Sequence, residues 1–371
     1  MLKLPKLSTT SSEEAYFIAS QWQLAIRKLT KHKLAMAAGA VLVVLYCLGG
    51  LCEFLSPYIV RTRNADYQFS PPQSIHFFHE GQFHPRPFVY GLEQSLDEAT
   101  WERIYEPDKS EINPIYFFVR GEPYKMWNLF RTDIHLFGVK RGVIFLFGTD
   151  SLGRDLLSLT LYAARTSLSI GLVGVLISFV LGATLGGISG YYGGRTDIII
   201  QRVIEFIISI PTIPFWMALS TALPKDWPVI RVYFGITIIL SLFGWSGLAR
   251  VVRGKILELR GDDYVLAAKV AGKSEVGIIR QHLLPGFVSY LIVHLTLAIP
   301  YMILAETSLS FLGLGLRFPA VSWGVLMSEA QNVRSIALRP WLMIPGLFVI
   351  VTVLSFNFLG DGLRDAADPY R

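Results

Sequence analysis

The side chains best suited to chemistry in this sequence are three charged residues that lie close together, Asp150, Arg154 and Asp155. Two carboxylates and a guanidinium at this spacing are available for ion pairing. A catalytic site would also need a nucleophile or a set of metal ligands beside them. Neither accompanies them in the sequence, so we expect no catalytic residues and predict that the chain is not an enzyme.

Two other groups of residues suggest a bound metal or nucleotide. His76, His79 and His84 could be ligands of a metal such as nickel, but no carboxylate pattern completes a coordination geometry. Residues 272–274, Gly-Lys-Ser, resemble the end of a phosphate-binding loop, but Ala267 stands where that loop requires a glycine. We therefore expect this chain to bind no metal and no nucleotide cofactor.

Charged residues are scarce in this chain, and their scarcity argues against an ordinary soluble protein. Of 371 residues, 52% are hydrophobic and 17% are charged, whereas soluble chains carry about 25% charged residues. The 24 Phe, 16 Tyr and 8 Trp exclude a disordered or fibrous chain, and a count of two Cys excludes a disulfide scaffold. The net charge of +6 is explained by the Lys and Arg that flank the apolar stretches described next, so no nucleic-acid partner is expected.

Six stretches are apolar enough to cross a bilayer, which requires about 20 residues of helix. They cover residues 34–55, 166–194, 206–224, 232–249, 281–305 and 340–360. Lys and Arg are concentrated before the first stretch and in the loop 250–285, whereas the segment 56–155 has a slight excess of acids. Because loops rich in Lys and Arg stay in the cytoplasm, we predict that both termini and the loop 250–285 are cytoplasmic. The segment 56–155 is predicted to lie outside.

Small residues and prolines set two of these stretches apart. Gly182, Gly186 and Gly190 in the second stretch recur at a spacing of four, which lets two helix backbones approach closely in lipid. Pro211 and Pro214 in the third stretch each remove a backbone donor, so each is predicted to kink its helix. A kinked helix beside glycine-rich ones suits a bundle that moves or lines a pathway.

Ionisable residues near the middle of the apolar stretches are scarce, and this bears on how any transport is driven. His294 is the one such residue, and we interpret it as an interhelical hydrogen-bonding residue or as a contact along a pathway. An ion-coupled secondary carrier remains the alternative function. Such a carrier would usually keep acidic residues or a relay at mid-depth, so we expect the energy for any transport to come from elsewhere.

The loop between the fourth and fifth stretches is predicted to form a helix, a glycine turn and a second helix. Val265, Ala268 and Ala271 recur at a spacing of three and form one small apolar face. Gly272 can end the first helix with a positive φ, and Pro285 ends the second. Because so short a helix cannot bury its apolar face alone, we expect this face to dock on another protein.

This loop resembles the coupling motif of ABC-importer permeases, which reads E-A-A, three residues, G, nine residues, I-x-L-P. Residues 266–268 (Leu-Ala-Ala), Gly272 and residues 284–285 (Leu-Pro) stand at the family spacing. Leu266 replaces the glutamate of the motif and His282 replaces its isoleucine. The helix and the turn remain, while one polar contact of the motif is lost.

Further segments resemble the dipeptide/oligopeptide/nickel branch of that family, and specifically its C-type, or second, permease. They are residues 148–155 (GTDSLGRD), 190–194 (GYYGG), 304–315 (LAETSLSFLGLG) and 357–365 (NFLGDGLRD). The resemblance extends from about residue 148 to the end of the chain and includes the first apolar stretch. It implies an all-α integral membrane protein of a bacterial inner membrane with six transmembrane helices. The expected division is a cytoplasmic segment 1–33, helix 1 at 34–55, an insertion 56–155, a permease core 156–360 and a tail 361–371.

The resemblance also implies partners and roles. A second permease would share the translocation path, two ATPase subunits would hold ATP and Mg²⁺, and a solute-binding protein would deliver the substrate from outside. Peptides, oligosaccharides and nickel complexes all stay open as substrates. The residues implied in coupling to the ATPase are Tyr264, Val265, Leu266, Ala267, Ala268, Gly272, Lys273, Ser274 and Glu275. The outer gate or dock would use Asp150, Arg154 and Asp155, unless these only anchor the helix that follows, and the pathway would involve Pro211, Pro214 and His294.

The segment 66–147 is longer than expected for most of this branch, and we predict a small, partly β extracytoplasmic domain. The run Ile115–Val119 is typical of a strand, and Gly121–Pro123 is typical of a turn. We expect this insertion to contact the solute-binding protein or the partner permease.

Overall fold

Helices dominate the chain, as its apolar stretches predicted, and a sheet occupies the insertion. The computed structural model describes residues 21–96, 98, 103–224 and 226–367. Parts of the predicted cytoplasmic segment 1–33 and tail 361–371 therefore lie outside the described residues. The helices are α1 Gln21–Lys31, α2 Lys33–Gly50, α3 Cys52–Leu55, α4 Leu156–Tyr192, α5 Gly194–Ser209, α6 Thr212–Thr221, α7 Val229–Leu259, α8 Asp263–Val270, α9 Glu275–Ile278, α10 Leu284–Gly286, α11 Val288–Phe311, α12 Trp323–Met327, α13 Val333–Leu338 and α14 Ile344–Ala367. The strands are β1 His76–His79, β2 Gln82–Leu96, β3 Arg103–Met126 and β4 Phe130–Val139.

Five helices are long and apolar enough to cross a membrane: α2, α4, α7, α11 and α14 with the turn before it. The pair α5 and α6 also passes this test, but it is bent by 86°. The bend lies at Ile210 and Pro211, and Pro211 is the residue that caps α6. Pro214 falls in the first turn of α6, where a missing N–H breaks no helical hydrogen bond. The prediction that each proline kinks the helix is therefore correct for Pro211 and wrong for Pro214.

The glycines of α4 lie against α7, which confirms the predicted close approach of two helices. A Cβ added to Gly182 would lie 2.9 Å from the carbonyl oxygen of Trp245, and one added to Gly190 would lie 2.8 Å from that of Arg253. The residue numbers of the contacting positions rise together along the two helices, so α4 and α7 run parallel.

The first and last candidate spans pack in the opposite sense. A Cβ added to Gly362 on α14 would lie 2.3 Å from the Cβ of Ala35 on α2, and one added to Gly39 would lie 3.8 Å from Leu359. The start of α2 and the end of α14 therefore lie at the same end of the bundle. Helix α14 continues to Ala367, beyond residue 360 where the sequence predicted its end.

The insertion folds as a four-stranded antiparallel sheet in the order β1-β2-β3-β4. The predicted strand Ile115–Val119 is confirmed as part of β3. The predicted turn at Gly121–Pro123 is wrong, because these residues lie inside β3 at a register shift between Arg120 and Tyr124. Pairing with β4 on both sides of the shift outweighs the local turn preference, and a proline is tolerated where the ladder is already interrupted.

Candidate coupling surface and outer ion-pair sites

The glycine turn after α8 forms as the sequence predicted. Gly272 has φ +75°, and the backbone N–H of Lys273 donates to the carbonyl of Ala268 at 3.2 Å, which is the long bond of a Schellman motif. Ser274 then caps α9, since its Oγ accepts from the backbone N–H of Gly277 at 3.3 Å. The helix, turn and helix are thus fixed by local hydrogen bonds.

One face of this unit packs on its own chain. Val265 of α8 is 3% exposed, and it shares a cluster with Ile278, Leu283 and two residues of α7, Val252 and Ile256. The expectation that Val265 docks on another protein is therefore corrected. Its position in the cluster holds α8 against the end of α7, and Ala268 beside it is half-buried.

The opposite face is open. Tyr264 and Leu266 are exposed, and Val270 at the end of α8 is 89% exposed. The other predicted coupling positions, Ala267 and residues 272–275, are exposed as well. His282, which replaces the isoleucine of the motif, has its Nε2 3.0 Å from the Nζ of Lys273. The sequence did not single out Val270 or this contact, although Val270 is one of the three residues between Ala268 and Gly272 within the motif.

Arg253 of α7 and Arg260, which caps the end of α7, connect this region to the neighbouring helices. Arg253 donates from Nε to Oδ1 of Asp197 at 2.5 Å and from Nη2 to Oδ2 at 2.6 Å. Arg260 donates from Nη1 to the carbonyl of Gly190 at 3.2 Å. A displacement of α8 would pass through α7 to α4 and α5, because bidentate pairs hold helices in a fixed orientation. A basic residue on one apolar helix and an acidic one on another were the sequence signals for this pairing.

At the other end of the bundle, Asp150 and Arg154 are buried rather than exposed. The Nε of Arg154 donates to Oδ2 of Asp150 at 2.5 Å, and Asp150 Oδ1 accepts from the backbone N–H groups of Leu152 and Arg154. Nη2 of Arg154 lies 3.8 Å from Glu329, a partner that sequence reasoning missed. Their burial argues against a dock for an external protein, and a role in a gate stays a prediction. The two side chains brace the segment before α4 against the segment that carries Glu329.

Asp155 anchors the start of α4, the alternative left open by the sequence. Its Oδ2 accepts from the backbone N–H of Ser158 at 2.8 Å and from the Oγ of Ser158 at 2.6 Å, which is the geometry of an N-cap. Its Oδ1 is buried with no hydrogen-bond partner. Burial raises the pKa of Asp155 to about 7.

Lowering the pH through 7 is expected to stabilise the folded chain through Asp155. The pKa is higher in the folded state than its ordinary value of 3.8, so the folded chain holds this proton more tightly. The stabilisation grows as the pH falls from 7 toward the ordinary value, and it is lost as the pH rises through the folded pKa. Asp155→Asn should remove this dependence, worth on the order of a few kcal/mol.

The measurement is the thermal melting midpoint in detergent above and below pH 7. Asp361→Asn, which removes an exposed carboxylate, is the control variant. A melting profile of Asp155→Asn that follows pH as steeply as the unmodified chain would contradict the assignment.

A second ion pair, between a buried carboxylate and a half-buried guanidinium, joins α3 just after the first span to the start of the next span. Both Nη atoms of Arg165 on α4 donate to the carboxylate of Glu53, and the Nη1 bond measures 2.5 Å. The side chain of Glu53 is 7% exposed. Arg165 Nε also donates to the carbonyl of Gly49 at 2.9 Å. The sequence signals for this pair were an acidic residue, Glu53, inside one apolar stretch and a basic residue, Arg165, directly before the next.

The residues expected along a pathway lie on different elements, while the rings of His79 and His84 lie 6.2 Å apart in the insertion. Pro211 caps α6 and Pro214 lies in its first turn, while His294 lies on α11 and stacks on Tyr290 of the same helix. Glu306 of α11 is fully buried. Its carboxylate accepts a hydrogen bond from the Oγ of Ser310 on the same helix at 2.7 Å and another from a serine of α4. The described ranges hold no group of three or more His, Cys, Asp or Glu arranged to bind a metal ion.

Two family models match this chain. Residues 182–370 match the model described as the binding-protein-dependent transport system inner membrane component. The chain belongs to this family. Residues 20–72 match the N-terminal TM domain of oligopeptide transport permease C.

Curated relatives agree with these models. The dipeptide transport system permease protein DppC of Bacillus subtilis is 33% identical over 94% of this chain and 86% of its own length. DppC of Lactococcus lactis is 39% identical over 94% of this chain and 91% of its own length. The oligopeptide transport system permease protein OppC of Haemophilus influenzae is 42% identical over 60% of this chain and 70% of its own length.

These matches confirm the resemblance to the C-type permeases of the dipeptide/oligopeptide branch of ABC importers. The chain is a multi-pass transport component of the inner membrane. The family is one of transport permeases, and this replaces the secondary-carrier alternative. Neither family model reaches residues 73–181, which include the sheet of the insertion.

Proposed function

We propose that this chain imports peptides as one of two permeases, with two ATPase subunits in the cytoplasm and a solute-binding protein outside. The dipeptide and oligopeptide permeases that it resembles support peptides as the substrate class. ATP and Mg²⁺ belong to the ATPase partners, and this chain contributes a path and a mechanical connection. The bent pair α5 and α6 is the proposed mobile wall of that path, together with α4, α7 and α11.

Helix directions support six crossings. Because α4 and α7 run parallel, residues 193–228 must return the chain across the bilayer, and the bent pair α5 and α6 is the segment available for this. Helices α2 and α14 run antiparallel, so the two terminal segments share one side. The end of α7, and α8 with it, lies beside the end of α4 on that same side. The many Lys and Arg of the loop 250–285 assign this side to the cytoplasm.

The observation that carries the coupling role is the exposed apolar face of α8 beside a buried one. Val265 fixes the helix to the chain's own core, while Leu266 and Val270 stay uncovered. Exposed apolar side chains in a basic cytoplasmic loop mark a surface that another protein covers. When the ATPases close, α8 would move with them, and the contacts of Arg253 and Arg260 would rotate α7 against α4 and α5.

Val270→Asp is expected to weaken ATPase binding at least about tenfold, which corresponds to 1.4 kcal/mol. The reason is that a carboxylate buried in an apolar interface has no partner there. Stability should stay unchanged, because Val270 contacts solvent in the isolated chain. The measurements are co-purification of the ATPases and substrate-stimulated ATP hydrolysis in the reconstituted complex.

Val333 offers a matched control, since it is 79% exposed and lies on α13, away from the loop 250–285. Val333→Asp should bind the ATPases normally. Full coupling in Val270→Asp, with a melting midpoint equal to that of the unmodified chain, would show that α8 is not the coupling helix.

A further inference from the structure

The tip of the β3–β4 hairpin lies at the end of a membrane-spanning helix. We define the hairpin tip as residues 125–131. The Nε1 of Trp127 donates to the carbonyl of Gly50 at 2.9 Å, and Gly50 is the last residue of α2. The guanidinium of Arg165 lies 4.6 Å from the centre of the Trp127 ring. These contacts hold the hairpin tip at the level where α2 leaves the bilayer.

The hairpin tip presents large apolar side chains that the described part of the chain leaves mostly exposed. Leu129 is 82% exposed, Phe130 58% and Trp127 57%. Phe118, earlier on β3, is 68% exposed and its ring lies 6.1 Å from that of Phe54 on α3, just beyond the end of α2. An apolar patch of this kind would be costly in water.

The backbone of the turn projects these side chains outward. Trp127 has φ 51° and Asn128 φ 60°, and the N–H of Leu129 donates to the carbonyl of Met126 at 2.8 Å. Met126 pairs with Phe130, so the hairpin loop has three residues, and its first two lie in the left-handed region that favours Asn or Gly. A tryptophan in the left-handed region is unusual, and here its side chain is held by Gly50 and Arg165. The anchored ring orients the turn, and Leu129 follows it at the apex.

Two cations flank the apolar apex. Lys125 and Arg131 pair across the two strands, and both side chains are exposed. Aromatic rings with nearby Lys or Arg are typical of segments at the boundary between lipid headgroups and acyl chains. Helix α2 is the least buried of the five candidate spans, with 28% of its apolar window covered. The hairpin tip therefore lies at the periphery of the bundle, next to the candidate span that this chain buries least.

We propose that the hairpin tip inserts into the outer leaflet of the membrane as a second anchor for the insertion. Leu129 and Phe130 enter the acyl boundary, and Lys125 and Arg131 contact lipid phosphates. The sheet is thereby held at a fixed height and tilt above the bilayer. A partner protein on the same patch is the competing occupant that the experiment separates.

The experiment places an environment-sensitive fluorophore at Leu129→Cys in the full chain within lipid nanodiscs. Cys47→Ser and Cys52→Ala are introduced first, so that the thiol at position 129 is the one that reacts with the fluorophore. Lys109→Cys, exposed and far back along β3, is the matched control. Spin-labelled lipids should quench the probe at position 129 and iodide should not, whereas the control should show the reverse. This result should hold for the chain alone and for the assembled importer.

Iodide quenching at position 129 equal to that of the control would overturn the proposal. Shielding that arises only in the assembled importer, without quenching by labelled lipid, would assign the patch to a protein partner instead. Lys125→Glu combined with Arg131→Glu should reduce lipid quenching at position 129 in nanodiscs of anionic lipid. Unchanged quenching in that variant would show that Lys125 and Arg131 do not contact lipid phosphates.

Discussion

Arg165→Leu is expected to destabilise the folded chain by about 3–5 kcal/mol, the usual cost of removing one partner of a buried ion pair. Glu53 would be left with its carboxylate buried and its main partner gone. The two carbonyl contacts of Arg165 at the end of α2 would be lost as well. The measurement is the free energy of unfolding of the purified protein in mixed detergent micelles.

Two variants separate this effect from a general sensitivity to lost charge. Arg202 pairs with Glu205 at 2.8 Å, but their side chains are 78% and 51% exposed. Arg202→Leu should therefore cost about 0–1 kcal/mol. Combining Glu53→Gln with Arg165→Leu should recover much of the loss, because the stranded charge is removed. Equal losses in the Arg165 and Arg202 variants would show that burial does not strengthen the first pair.

Gly186→Ala is expected to cost roughly 1–3 kcal/mol, although alanine favours helix over glycine by about 1 kcal/mol. The added Cβ would lie 2.4 Å from the carbonyl oxygen of Ala249 and 2.9 Å from its Cα. Both atoms belong to the backbone of α7, which cannot rotate out of the way as a side chain does. The parallel helices α4 and α7 would have to separate along their contact.

Gly247 of α7 is the matched control, since a Cβ there would meet nothing within 4 Å. Gly247→Ala should be neutral or slightly stabilising in the same unfolding measurement. A Gly186→Ala variant as stable as Gly247→Ala would mean that the two helices do not pack through their glycines. The yield of assembled importer should likewise be lower for Gly186→Ala than for Gly247→Ala.

The buried position of Val265 changes how the coupling loop is understood. A spacing of three identifies a helix with one apolar face, and the sequence assigned that face to an external partner. In the structure Val265 packs into the chain's own core beside Ile256 of α7, Ala268 is half-buried and Ala271 is exposed. The exposed residues on the other side, Leu266 and Val270, are also apolar. Periodicity alone did not distinguish two apolar faces on so short a helix.

The sequence by itself determined the features that depend on local composition and spacing. Long apolar runs predicted the membrane helices, because the length of a run sets whether it can cross a bilayer. The glycine spacing in α4 predicted close helix packing, and Gly272 predicted a turn that few other residues adopt without strain. The coupling motif and the matching segments predicted the family, which the comparisons confirm.

Only the tertiary structure decided the features that depend on distant partners. Glu329 reaches Arg154 and Ser151 from a segment 178 residues away from Ser151, and no local pattern encodes that distance. The Gly121–Pro123 stretch has the composition of a turn, yet pairing with β4 keeps it in a strand. The direction of α7 relative to α4, and the position of Trp127 at the end of α2, likewise follow from long-range packing. Such contacts are set by the free energy of the whole bundle, and each residue's own preference contributes only a small part.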